Sequence, residues 1–332
     1  MIFLVYEPEK KSRIGYVKIL KNESDSFLEK LKFWFKYTAC IINIKKAANN
    51  VIYEIPIYKE KVLLKKKYKK INLIINKLNS EIQKENVEAI VLSSEVKELL
   101  NQLNNDGIDS DFNIPVLNGK FLMKNLLIDI IEKISKQQNQ DISFAKAYVL
   151  VEKYNKENLD IIYALSAKVK NINIVTSNIR NFRKLEEKLF CNNGVAISVA
   201  NNRKKGMRRA DLVINFDFDS ETIKKYNINR DAIIVNCTNS ILNLQTGFSG
   251  IIINGIKIAN DVQVLEYFKI HELLENFDIT ELYESLIFNK YYDKITQQKN
   301  KDKIIIKDFV GSRGIINIKE LENSQIKKVS SI

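Results

Sequence analysis

Ala145-Lys-Ala-Tyr-Val-Leu-Val-Glu152, Ile172-Asn-Ile-Val-Thr176, Val195-Ala-Ile-Ser-Val199, Asp211-Leu-Val-Ile-Asn215 and Ala232-Ile-Ile-Val-Asn236 are five short β-branched runs separated by longer connections, several of helical pattern. Continuous apolar runs of this length suit strands buried on both faces. Their alternation with helices predicts a parallel sheet covered by helices. The turn after the first run is Lys153-Tyr-Asn-Lys-Glu-Asn158. A turn that brings its backbone against a pyrophosphate needs glycines, and this one has none.

Outward from this stretch, the 332 residues suffice for two domains with separate cores. The composition, 45% hydrophobic and 28% charged, is that of a globular chain rather than a disordered one. Met1-Ile-Phe-Leu-Val-Tyr6 is too short for a signal-peptide core, and no run reaches the roughly 18 apolar residues of a membrane span, so a cytoplasmic protein with no membrane partner is expected. Cys40, Cys191 and Cys237 are scattered, and His271 is the only histidine. That pattern supports neither a disulfide framework nor a metal site; the cysteines read as small apolar residues and His271 as a surface or packed residue. The net charge of +13 is carried mostly by lysines spread along the chain. It raises solubility and weak affinity for polyanions without itself marking a site.

The N-terminal part reads as a second α/β domain over residues 1–140. Ile2–Tyr6 and Ile14–Leu20 suggest a hairpin-like start. Ser24-Asp-Ser26 then introduces a helix whose Phe27, Leu31, Trp34, Phe35, Ile41 and Ile42 form one core-facing surface. A strand at Val51–Ile55 ends at Pro56. The next helix repeats Leu64, Tyr68, Ile71, Ile75, Leu78 and Ile82 at heptad spacing, which fits either packing on its own sheet or the contact of a homodimer. Lys65-Lys-Lys-Tyr-Lys-Lys70 on that helix reads as a solvated face or as a basic patch for a phosphate backbone. Ala89–Ser93 is a further strand. A helix entered at Gly119 carries Met123, Leu126, Leu127, Ile130 and Ile134, and Lys136–Asp141 breaks it, placing a domain boundary there. The second domain is expected over 141–261, with helices and a β tail over 262–332, the tail forming a hairpin around Phe309–Ile316.

Three matches make the second domain resemble the NAD(P)-binding half of the shikimate dehydrogenase and glutamyl-tRNA reductase group. They are the helix from Gly119 ahead of the first strand, Asn178-Ile-Arg180 with Arg183 and Leu185 after the second, and Ala210-Asp-Leu-Val-Ile-Asn215. The resemblance spans about residues 145–238. It implies a fold of two α/β domains, the second a Rossmann-like parallel sheet with helices on both faces, here without a Gly-rich phosphate turn. It also implies that the strand ending at Asn215 passes beneath a cofactor. The Lys and Asp pair of shikimate dehydrogenases has no placed counterpart, Lys59 after Pro56 being only loosely similar, so no catalytic residue is assigned.

In such a sheet, ligands lie beyond the carboxyl ends of the strands. Asn155 should cap the helix after the turn, where Lys153 and Lys156 favour phosphate and Glu157 opposes it. The second loop has no acid for a ribose hydroxyl. Ser177, Asn178, Arg180 and Arg183 suit a 2′-phosphate, so NADP is the cofactor expected if there is one. Arg203, Arg208 and Arg209 form the most concentrated basic loop and are candidates for binding a nucleotide or another small anion through planar guanidinium forks; the alternative is a solvated loop. Asp219 or Ser220 should cap a helix. Three functions follow as expectations: a non-catalytic binding or regulatory protein with a degenerate nucleotide site, an NADP-dependent oxidoreductase, and a basic nucleic-acid-binding protein.

Overall fold

The computed structural model describes residues 13–20, 27–47, 50–57, 68–105, 112–193, 195–201, 207–244, 247–270, 273–289 and 304–317. Ile2–Tyr6, Lys59, Lys65–Lys67, Arg203 and His271 lie outside them. The chain divides into two compact units: Met1–Asn118 with Asn260–Lys303, and Gly119–Ala259 with Ile304–Ile332. The sequence reading instead sets boundaries after 140 and 261 and treats 262–332 as a separate part. The polar stretch that ends the helix before Asp141 lies within the second unit.

The first unit contains β1 (Arg13–Ile19), α1 (Phe27–Thr38), β2 (Asn43–Ala47), β3 (Asn50–Ile55), α2 (Tyr68–Lys84), β4 (Val87–Leu92), α3 (Ser94–Asn105) and β5 (Val116–Leu117). Its sheet has the order β2-β3-β1-β4-β5, antiparallel only between β2 and β3. Both edges of β1 are taken by parallel neighbours, so a hairpin partner has no place beside it. Ile71, Ile74, Ile75, Leu78 and Ile82 of α2 are buried in one core with Val17, Tyr53 and Ile90. The seam positions Ile71, Ile75, Leu78 and Ile82 thus pack on their own sheet, which leaves those side chains unavailable to a second copy; Leu64 lies outside the described residues. On α1 the core contact comes from Phe33, with Tyr37 half-buried, while Trp34 and Phe35 are 56% and 60% exposed. The expected apolar face is therefore out of phase there. Ile41 and Ile42 follow the end of the helix, beyond Cys40 with its positive φ of 52°.

The second unit opens with α4 (Lys120–Asn125) and α5 (Leu127–Gln138), two helices where one was expected, and both bury the apolar residues named above. Then come β6 (Lys146–Leu150), α6 (Lys156–Ser166), β7 (Asn171–Val175), α7 (Ile179–Asn193), β8 (Ala196–Ala200), β9 (Leu212–Asn215), α8 (Ser220–Lys224), β10 (Ile233–Asn236), β11 (Ile251–Ile253) and β12 (Gly255–Ile258). Five of these strands match the five β-branched runs within a residue or two at each end. The sheet is wholly parallel, in the order β11-β10-β9-β6-β7-β8. Strand order runs from β6 outward in two directions, and with the right-handed crossovers usual for parallel strands this puts helices on both faces. Gly250 permits the tight approach to β10, because a Cβ there would stand 2.1 Å from the Ala232 carbonyl oxygen. β13 (Ile306–Gly311) and β14 (Gly314–Ile315) form the expected hairpin and pair with β12 in a small antiparallel sheet.

The first unit is completed by α9 (Val262–Ile270) and α10 (Ile279–Phe288), separate helices where the sequence pattern suggests one region. No helix among the described residues is long and apolar enough to cross a membrane.

Candidate functional site

Counted from β6, the strand order of the second unit is 3-2-1-4-5-6 and all parallel. This is the doubly wound arrangement in which a dinucleotide lies across the carboxyl ends of strands 1 and 4, where the chain reverses direction through the sheet. The second unit is Rossmann-like, and its switch point lies between β6 and β9.

The turn beyond β6 has the six-residue length of a Gly-x-Gly-x-x-Gly loop, with Lys153, Asn155 and Asn158 at the glycine positions. The extended Asn155 caps α6, its Oδ1 accepting from Asn158 N–H at 2.9 Å, as expected. Asn158 is buried, and its Nδ2 donates to the Lys153 carbonyl at 2.9 Å, so an amide side chain holds the turn where glycine would leave backbone bare. Asn155→Ala should cost about 1 kcal/mol, measured as a lowered thermal midpoint, through loss of this cap. Lys153, Lys156 and Glu157 are exposed. Tyr154 stands edge-on to Phe182 of α7, ring centroids 5.1 Å apart.

Asp217, one residue past the Phe216 that follows β9, reaches across the switch point. Its carboxylate accepts from Glu152 N–H at 2.7 Å and from Lys153 N–H at 2.9 Å. Two backbone donors at the mouth of the turn are thus taken by an anion belonging to the chain. Such charge-assisted bonds are about twice as strong as neutral ones.

A second carboxylate does the same at the neighbouring loop. Glu152 accepts from Ser177 N–H at 2.9 and 3.1 Å and from Ser177 Oγ, with Thr176 Oγ1 at 3.5 Å. Asn178 N–H donates to Thr176 Oγ1 at 3.0 Å, and the Asn178 Oδ1 accepts from Asn181 Nδ2 at 2.9 Å. Arg180 and Arg183, on the first turns of α7, are exposed. The structure therefore brings Lys153, Asn155, Lys156, Ser177, Asn178, Arg180 and Arg183 to one sheet edge. It also inserts Glu152 and Asp217 among them.

Asn215 is fully buried and its amide is engaged at both ends. Its Oδ1 accepts from Phe218 N–H at 2.9 Å, and its Nδ2 donates to the Phe218 carbonyl at 2.9 Å and to Asn236 Oδ1 at 2.8 Å. Asn236 Nδ2 in turn donates to Asn254 Oδ1 at 2.9 Å. The three asparagines stand at the carboxyl ends of β9, β10 and β11 and form one ladder, capped underneath by Lys120 Nζ on the Asn236 and Asn254 carbonyls. Asn215 fixes the 216–218 turn and so aims Asp217.

Arg208 and Arg209 lie at the other edge of the sheet. The connection leaves β8 at its carboxyl end and enters β9 at its amino end, so its last residues have crossed the depth of the sheet. Asp211 N–H donates to the Lys146 carbonyl at 3.1 Å, and Asn229 N–H to Met207 O at 2.8 Å, beside the starts of β6 and β10. The sequence pattern predicts the ligand edge for these arginines, whereas Arg208 and Arg209 follow the crossing. Asp219 caps α8 through Thr222 N–H at 2.7 Å. Cys237 is buried, which pushes its thiol up to about 12 and leaves it unreactive at neutral pH. Among the described residues no cluster of His, Cys, Asp and Glu could hold a metal ion.

No family model and no curated protein sequence matches the chain. Among solved structures, it is similar to a shikimate dehydrogenase in complex with NADP+, at 11% identity over 96% of this chain and 95% of that one, with a TM-score of 0.33. It is similar to L-tryptophan dehydrogenase from Nostoc punctiforme, at 12% identity over 86% and 80%, TM-score 0.32. A third is ornithine transcarbamoylase from Giardia lamblia, at 11% over 84% and 86%, TM-score 0.28. Likenesses at this level carry no functional argument; the Rossmann-like assignment rests on strand order and direction.

Proposed function

We propose that the chain is a binding or regulatory protein built on a Rossmann-like frame, whose dinucleotide turn is closed by its own carboxylates. The observation that carries this reading is the Asp217 carboxylate on the Glu152 and Lys153 amides. A pyrophosphate approaching the turn would have to displace Asp217. It would also meet Glu152 and the exposed Glu157 at close range, where like charges oppose binding. Calorimetric titration with NAD and NADP tests this. The turn of the wild-type chain should bind neither at millimolar concentration, so that any affinity is untouched by Lys153→Ala with Lys156→Ala, while Asp217→Ala, which frees both donors and removes a charge, should strengthen sulfate or NADP binding at the turn by roughly tenfold. Binding of NADP by the wild-type chain together with cofactor-dependent redox turnover would overturn it.

That outcome would support the second reading, an NADP-dependent oxidoreductase. It is favoured by the exposed Arg180 and Arg183 beyond β7, where a 2′-phosphate would lie. On that reading Arg183→Ala should weaken NADP binding more than NAD binding.

A further inference from the structure

At the amino edge of the parallel sheet, opposite the sealed turn, the segment between α8 and β10 and the loop before β11 enclose an open cleft of about 380 Å³. Lys224, Lys225, Asn227 and Arg230 supply its polar wall, and Phe248 and Leu244 its apolar one. Among the described residues no carboxylate lines it. Lys224 is tied to Glu221 at 2.7 Å, whereas Lys225 and Arg230 make no ion pair among the described residues. Asp231, the acid next to Arg230 in sequence, accepts from Ser249 Oγ at 2.8 Å and is absent from the lining.

A further cation stands behind this wall. Arg208 Nε and Nη2 both donate to the Asn227 amide oxygen, each at 3.0 Å, in the orientation that satisfies both groups. Gly247, with φ 91° and nothing within 4 Å of its Cβ position, presents bare backbone among the lining residues. We propose that this cleft is a binding site for a phosphomonoester of about nucleotide size, its phosphate held by Lys225 and Arg230 and its ring laid against Phe248. The volume falls in the range of small-ligand sites. A guanidinium fork and an ammonium lining one cleft suit a phosphate's oxygens, and an aromatic wall favours a planar base. The inference goes beyond the reading of the turn and holds whether or not the turn binds anything.

The test is calorimetric titration of the full chain with AMP, inorganic phosphate and a short single-stranded oligonucleotide, at low salt and at physiological salt. AMP should bind more tightly than phosphate. Arg230→Ala and Lys225→Ala should each weaken AMP by roughly tenfold with the melting temperature unchanged. A paired Lys153→Ala, Lys156→Ala variant reports on the turn instead. If that variant loses AMP while Arg230→Ala retains it, the cleft is not the site and the proposal fails. It fails equally if neither AMP nor phosphate binds at millimolar concentration, or if only the oligonucleotide binds, with affinity falling steeply in salt, because the phosphates recognised would then be those of a polynucleotide.

Discussion

Asn236→Leu should cost the second unit about 3 kcal/mol of stability, seen as a fall in the urea midpoint with little change in slope. Leucine keeps the branched shape and leaves no cavity, so the loss measures hydrogen bonds together with the crowding of two methyls in a buried site. Asn236 Oδ1 accepts from Asn215 Nδ2 at 2.8 Å and Thr238 Oγ1 at 3.0 Å, and its Nδ2 donates to Asn254 Oδ1 at 2.9 Å and the Ser240 carbonyl at 2.8 Å. Asn215, Asn236 and Asn254 are buried, so the orphaned groups cannot turn to water. The same substitution slackens the 216–218 turn that Asn215 holds and so the clamp of Asp217 on the turn amides. It should therefore also raise anion affinity at the turn, more weakly than Asp217→Ala does. A loss under 1 kcal/mol would show the ladder to be incidental.

The ladder and the clamp mark where the sequence becomes opaque. The strands were legible because each is a local run of β-branched residues with both faces buried, and the caps at Asn155 and Asp219 were legible because capping is local. The ladder left a trace, since Ile214-Asn215, Val235-Asn236 and Ile253-Asn254 each end an apolar run with asparagine. Reading that trace needs the register that sets Asn236 opposite Asn215, a property of the assembled sheet. Asp217 meets Glu152 and Lys153 across more than sixty residues of sequence, and nothing near it distinguishes it from a solvated carboxylate. Arg208 and Arg209 stand away from the expected edge for a related reason. A crossover joins opposite edges of a parallel sheet, so its two ends belong to different sites. On α1, spacing alone could not choose between Phe33 and its neighbours Trp34 and Phe35, because the sheet it packs on selects the face.

The second large effect lies in the first unit and depends on pH. Glu281 of α10 is buried against Lys97 of α3, which donates to its carboxylate, with Asp278 and Glu284 of the same segment nearby. Burial raises its pKa from an ordinary 4.5 to about 7, since removing the carboxylate from water costs more than the lysine returns, and the two neighbouring acids push the same way. Glu281 therefore holds its proton more tightly folded than unfolded. Its contribution to stability is complete below about pH 4.5 and is lost as the pH rises through 7, amounting to about 3 kcal/mol across that window. Denaturant unfolding of the wild-type chain at pH 5 and pH 8 should show this decline. Glu281→Gln, which keeps the neutral form at every pH, should flatten it. Lys97→Met removes the charge against Glu281 that favours the carboxylate, so it should push the decline to higher pH rather than abolish it. Equal slopes in the wild type and Glu281→Gln would place the pH dependence elsewhere. The same geometry bears on how α10 packs within the first unit. Ser285, one turn further along, shares a hydrogen bond of 2.8 Å with Tyr16 Oη on the central strand β1. Ionisation of Glu281 acts on the helix that carries this contact, so a weakened α10 at high pH should also speed hydrogen exchange in that helix before global unfolding.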